Sequence, residues 1–181
     1  NSKSLESIVK QSWLQELKTF LTHSTPDHPI VLISGDLDFK KAVVNWLIAA
    51  TVRQDPPIKN ILVTTYSPPF CDFLNSKKYP CKCLVVPPET LTDKSMYHHK
   101  SWLINFYKLL IARVVVLRMI SYWGYDVANF DSDAIILKNP IPLYYSKEYA
   151  DNNIVGTHGG NLPHALRRKW GVVSCMGCIF I

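Results

Sequence analysis

Ile30-Val31-Leu32-Ile33 is an unbroken apolar run that stops at Ser34-Gly35, and the residues beyond it take up helical spacing through Phe39, Val43, Trp46, Leu47 and Ala50. Pro56-Pro57 ends that pattern, and Asn60-Ile61-Leu62-Val63-Thr64-Thr65 starts a second apolar run. A strand without polar alternation must be covered on both faces, and a helix between two such strands returns the chain for parallel pairing. The pattern predicts an α/β fold with a mainly parallel sheet and flanking helices. Cys83-Leu84-Val85-Val86, ahead of Pro87-Pro88, adds a third strand, and Val127-Ala128-Asn129-Phe130 a fourth. The carboxyl ends of these four strands are expected along one edge of the sheet. Ligands of open α/β sheets bind at that edge, which puts the loop of Ser34, Gly35, Asp36, Leu37 and Asp38 at a nucleotide's entrance.

The remaining chain fills in around this frame. Leu5, Ile8, Val9, Leu14, Leu17, Phe20 and Leu21 recur at helical spacing, so residues 4–22 form an amphipathic helix within a lead-in of residues 1–25. Asp38 is expected to cap the helix that follows the first strand. Residues 66–82 suggest a surface loop. A long helix covers residues 95–123 and is strongly apolar after Leu109, so Arg113 and Arg118 need partners, because an unpaired buried charge costs several kcal/mol. His98 and His99, adjacent on that helix, point about 100° apart and make poor joint ligands. Residues 143–149 suggest a short aromatic helix, 153–157 a strand, 158–160 a flexible loop and 172–181 a last strand. In that strand, Gly177 leaves room for a ligand or backbone to come near. Arg167-Arg168-Lys169 suits either a phosphate or a solvated face.

The chemistry concentrates where the fourth strand ends. Asp131 and Asp133 flank one residue between Val127-Ala128-Asn129-Phe130 and Ala134-Ile135-Ile136-Leu137, which gives a buried strand, an acidic corner and a second strand. Carboxylates about 4 Å apart repel by roughly 4 kcal/mol at an effective dielectric near 20, so a corner that keeps both ionised beside a core calls for a cation. Hard oxygen ligands suit Mn²⁺ or Mg²⁺, which in turn hold phosphate oxygens. Both carboxylates are expected to face one crevice, with Ser132 turned differently. The plainer alternative makes Asp131 a turn cap and Asp133 a solvated charge.

With 181 residues, 48% of them hydrophobic, the chain suits one globular domain. A net charge of +6 favours an anionic ligand, but the basic residues are scattered and no nucleic-acid partner is expected. The richest apolar segment is broken by Arg113 and Arg118, so no membrane span is expected within these residues. The chain begins at Asn1 and ends in an apparent strand, so both ends look like cuts, the second inside the domain. Cys71, Cys81, Cys83, Cys175 and Cys178 are odd in number. One disulfide in an oxidising lumen, free buried thiols, and a zinc site from the 81/83 and 175/178 pairs are the readings open to them, the last disfavoured by its short first spacing.

Residues 107–142 resemble the nucleotide-diphospho-sugar transferase domain of GT-A glycosyltransferases. They carry a long helix with a basic residue, then Gly124-Tyr125-Asp126-Val127, Asp131-Ser132-Asp133, an apolar triplet and Lys138-Asn139-Pro140. Asn45-Trp46-Leu47, Trp170-Gly171 and Cys175-Met176-Gly177 extend the likeness over residues 30–181, strongest at 124–140. The resemblance implies a Rossmann-like GT-A fold, truncated at its carboxyl end, so that residues 1–181 form a single partial nucleotide-sugar-binding domain. It implies that Asp131 and Asp133 bind Mn²⁺ or Mg²⁺ and the sugar nucleotide, a UDP-sugar, beside Ser132. It also matches Arg113, 18 residues before the motif, to a basic residue that contacts the donor. A glycan or glycoprotein acceptor, a Golgi lumenal setting and a membrane anchor outside these residues belong to the same implication.

Two other functions stay open on sequence. A metal-dependent phosphatase would use Asp131 as nucleophile, and Asp36-Leu37-Asp38 echoes the aspartate pair of haloacid-dehalogenase-type phosphatases, although Ser34-Gly35 separate it from the strand. A non-catalytic GT-A-like domain would bind a nucleotide-sugar without turnover.

Overall fold

The computed structural model describes residues 12–25, 28–87, 101–149, 151–159, 164–170 and 174–181. In chain order the elements are α1 (Ser12–Thr22), β1 (Ile30–Ser34), α2 (Lys40–Thr51), β2 (Ile61–Thr65), α3 (Pro68–Ser76) and β3 (Lys82–Val85). They continue with α4 (Ser101–Tyr122), β4 (Val127–Phe130), α5 (Ile141–Tyr144), β5 (Val155–His158), α6 (His164–Trp170) and β6 (Ser174–Phe180).

The six strands form one sheet in the order β3-β2-β1-β4-β6-β5. The first four are mutually parallel, with Val31 beside Ile61 and Ala128 in the two neighbouring strands, while β6 runs antiparallel to both β4 and β5. The expected parallel set is therefore present, and the ends of β1 and β4 share an edge. Its apolar runs are explained by two buried faces. Val31 and Ile33 pack on one side with Trp46 and Leu47 of α2 and Phe70 of α3, and Ile30 and Leu32 pack on the other with Leu17 of α1 and Val116 and Ile120 of α4.

Several sequence expectations are corrected. Residues 66–82 are not a loop: Pro68-Pro69 open α3, which buries Phe70, Cys71 and Leu74. Cys71 forms a disulfide with Cys83, tying α3 to β3, while Cys81, Cys175 and Cys178 are free thiols, so the five cysteines supply one disulfide and no zinc cluster appears among the described residues. Residues 134–137 form no strand. Ile136 alone turns inward, and Ile135 and Leu137 are 77% and 90% exposed, because β6 already occupies the far side of β4. Arg118 is exposed and needs no buried partner. The aromatic helix is one turn, Ile141–Tyr144, followed by turns. Residues 4–11, His98, His99, Gly160 and residues 172–173 lie outside the described residues.

Candidate functional site

The acidic corner is built by two antiparallel strands and a turn. Phe130 pairs with Cys178, and one residue on, the Asp131 N–H donates to the Gly177 carbonyl at 2.8 Å, so β6 holds the backbone at the end of β4. The Ala134 N–H then donates to the Asp131 carbonyl at 3.0 Å, closing a turn over residues 131–134. That turn makes Asp131, Ser132 and Asp133 leave the sheet together at its carboxyl edge. Asp131 pairs with Arg113 of α4, whose side chain is 9% exposed against 40% for that of Asp131. The pair answers the expectation that Arg113 needs a partner. It leaves the guanidinium Nε buried with no hydrogen-bond partner among the described residues.

A cleft of about 300 Å³ opens at this point, lined by Ser34, Arg113, Asp131, Ser132 and Asp133. Five of the seven residues expected at the site thus meet in one place. Ser132 lines the cleft together with its two neighbours. Ser34 is buried, its hydroxyl sharing a 2.7 Å hydrogen bond with that of Thr64 on β2. Phe39, Phe106, Leu109 and Leu110 complete the walls. Sequence reading missed these four, although Phe106, Leu109 and Leu110 precede Arg113 by seven, four and three residues and so share its face of α4.

Gly35 and Asp36 do not line the cleft. A Cβ on Gly35 would lie 2.4 Å from Val43 Cγ2, so this glycine lets α2 close onto the sheet. Asp36 is buried and fully engaged. Its Oδ1 accepts from the N–H groups of Asp38 and Phe39 at 2.9 and 3.2 Å, and its Oδ2 accepts from the Tyr66 hydroxyl at 2.8 Å. Asp36 therefore caps the turn into α2, correcting the assignment of that role to Asp38. Burial first, and then the Asp36 carboxylate, push the Tyr66 hydroxyl above its ordinary range and keep it a donor. Three donors thus hold both oxygens of the buried Asp36 in a structural role, away from the cleft, which argues against the haloacid-dehalogenase likeness.

A larger groove, of about 770 Å³, lies between α2 and residues 135–137 and shares Ser132 and Asp133 with the cleft. Arg113 and Asp131 line the smaller cleft and not the larger groove, so the ion pair faces the smaller one. Its oxygen donors are two carboxylates, the Ser132 hydroxyl and the Ser34 hydroxyl already shared with Thr64, with no group of three or more His, Cys, Asp or Glu among the described residues. The described residues thus supply no full protein cage. The set fits an ion such as Mg²⁺ or Mn²⁺ that takes one or two carboxylates and completes its octahedron with water and substrate phosphates. Arg167, Arg168 and Lys169 are exposed on α6, as a solvated face requires. The family model for nucleotide-diphospho-sugar transferases matches residues 57–181. No curated protein and no solved structure matches the chain.

Proposed function

The chain belongs to the nucleotide-diphospho-sugar transferase family, and from that premise we propose that it moves a sugar from a UDP-sugar to a hydroxyl of a glycan or glycoprotein, assisted by Mn²⁺ or Mg²⁺ at Asp131 and Asp133. The observation that carries this reading is the meeting of Ser34, Arg113, Asp131, Ser132 and Asp133 in one cleft at the carboxyl ends of β1 and β4, where open α/β sheets bind ligands. When bound, the ion would neutralise negative charge growing on the leaving diphosphate, a contribution of several kcal/mol. Arg113 fixes the Asp131 carboxylate and brings a second positive charge to the same wall. Phe39 and Phe106, each about two-fifths exposed, offer aromatic surface for a base or sugar ring. The Cys71–Cys83 disulfide suits an oxidising lumen, in keeping with a Golgi setting.

Thermal unfolding with Mn²⁺ and a panel of UDP-, GDP- and ADP-sugars tests the donor class. At a hundredfold excess over Kd a bound ligand stabilises by about 2.7 kcal/mol, which raises the midpoint by roughly 5 °C or more in a domain of this size. The UDP-sugars should give that shift, only with metal, and p-nitrophenyl phosphate should not be hydrolysed. Phosphate release with no nucleotide-sugar shift would favour the phosphatase reading instead.

A further inference from the structure

Gly177 lies on β6 directly behind the acidic corner. A Cβ built there would stand 2.7 Å from Asp131 Oδ2, 3.4 Å from Asp131 Cγ and 3.3 Å from Cys175 Sγ. A carbon at 2.7 Å from a carboxylate oxygen is well inside van der Waals contact, so any side chain forces the carboxylate back by several tenths of an ångström. The backbone of Gly177 is not in the left-handed region, Gly124 being the only glycine with positive φ among the described residues. A side chain at position 177 thus meets the neighbouring carboxylate, which must shift to admit it, and meets no obstacle in its own dihedrals. The same residue holds Asp131 a second time, since its carbonyl accepts the Asp131 N–H at 2.8 Å.

We infer that Gly177 is a positioning residue for the metal–nucleotide site: it cradles Oδ2 of Asp131 while Arg113 holds Oδ1. The inference rests on the proposed function, in which Asp131 is a metal ligand. The two holds are complementary. Arg113 draws one oxygen toward α4, and the bare Cα of Gly177 lets the other settle against β6, so the carboxylate has one placement relative to Asp133. A ligand set needs placement within about 0.5 Å, and a misplacement of about 1 Å costs on the order of 100-fold in a positioned reaction. Gly177→Ala should therefore act chiefly through Asp131, its contact at 2.7 Å, with the looser contact to Cys175 Sγ at 3.3 Å second to it.

The test combines binding and stability. Calorimetric titration of UDP with and without Mn²⁺ is made on wild type, Gly177→Ala and Asp131→Asn. Gly177→Ala is expected to lower the Mn²⁺-dependent affinity at least tenfold and to leave metal-free UDP affinity unchanged, a split that general loosening of the strand would not produce. Thermal unfolding of Gly177→Ala, Asp131→Ala and the double variant closes the argument, and it stays decisive if Gly177→Ala alone fails to fold. The destabilisation caused by Gly177→Ala should largely disappear in the Asp131→Ala background, where no carboxylate remains to be struck. An undiminished cost in that background, or wild-type Mn²⁺-dependent binding by Gly177→Ala while Asp131→Asn is impaired, overturns the role of Gly177 alone. Wild-type binding by Asp131→Asn overturns the metal-site reading and the role of Gly177 with it.

Discussion

At the scale of single residues, Arg113 and Asp131 decide how substitutions at the corner behave. Relief of repulsion between two carboxylates suggests that Asp→Asn changes leave the metal-free protein level or more stable. That holds for Asp133, which is exposed. It does not hold for Asp131, because Arg113 is 7% exposed and would lose its partner. Asp131→Asn should thus lower metal-free stability while Asp133→Asn does not, a contrast that urea unfolding resolves. Arg113→Met leaves the more exposed member of the pair, which water can solvate, so its cost should be about 1 kcal/mol and not the 3–5 kcal/mol of a fully buried orphan. Nucleotide binding per folded molecule should still fall. A loss of several kcal/mol with unchanged binding would make Arg113 purely structural. Cys81 carries the clearest pH signature, since burial pushes its thiol up to about 11. The folded state favours the neutral thiol, so its contribution is complete below the ordinary value near 9 and is lost as pH rises toward about 11. Iodoacetamide should modify Cys81 slowly at pH 8 and much faster above pH 10; rapid labelling at pH 8 would contradict the burial.

At the scale of elements, the four parallel strands were legible because unbroken apolar runs between helical patterns allow few other packings. The helix α3 was not. Pro68-Pro69 suggested a loop, yet proline is compatible with the first helical turn, and Phe70 and Leu74, four residues apart, carry a buried face that the polar residues around them obscure. The strand expected over residues 134–137 failed for a reason outside its own composition: β6, far along the chain, takes the pairing edge of β4. Gly177 was legible as an open position, but its contact with Asp131 was hidden for the same reason, being made across the fold; Asp36 caps through the local N–H groups of Asp38 and Phe39, a role that Asp38, nearer the helical pattern, concealed. The Cys71–Cys83 disulfide joins α3 to β3 across 12 residues, and its removal should cost about 2–3 kcal/mol. Reductant should lower the urea midpoint of wild type but not that of the Cys71→Ala/Cys83→Ala variant; an equal midpoint in all three conditions would mean that the staple adds no stability.

At the scale of the whole molecule, the sheet brings residues 34, 113 and 131–133 from three separate segments to one edge, and the two helices of its α1/α4 layer leave α4 free to carry Arg113 and Phe106 into the cleft. The +6 net charge supports an anionic ligand there without marking its place. The central claim is that this edge binds a nucleotide through a divalent ion held by Asp131 and Asp133. Calorimetric titration of UDP into wild type, Asp131→Asn and Asp133→Asn, each with and without Mn²⁺, tests it most directly. The account predicts that Mn²⁺ strengthens binding to wild type by at least tenfold and that either substitution removes most of that gain while the fold persists. Equal UDP affinity in all three proteins, with or without Mn²⁺, would contradict it and leave the two aspartates as residues of a turn.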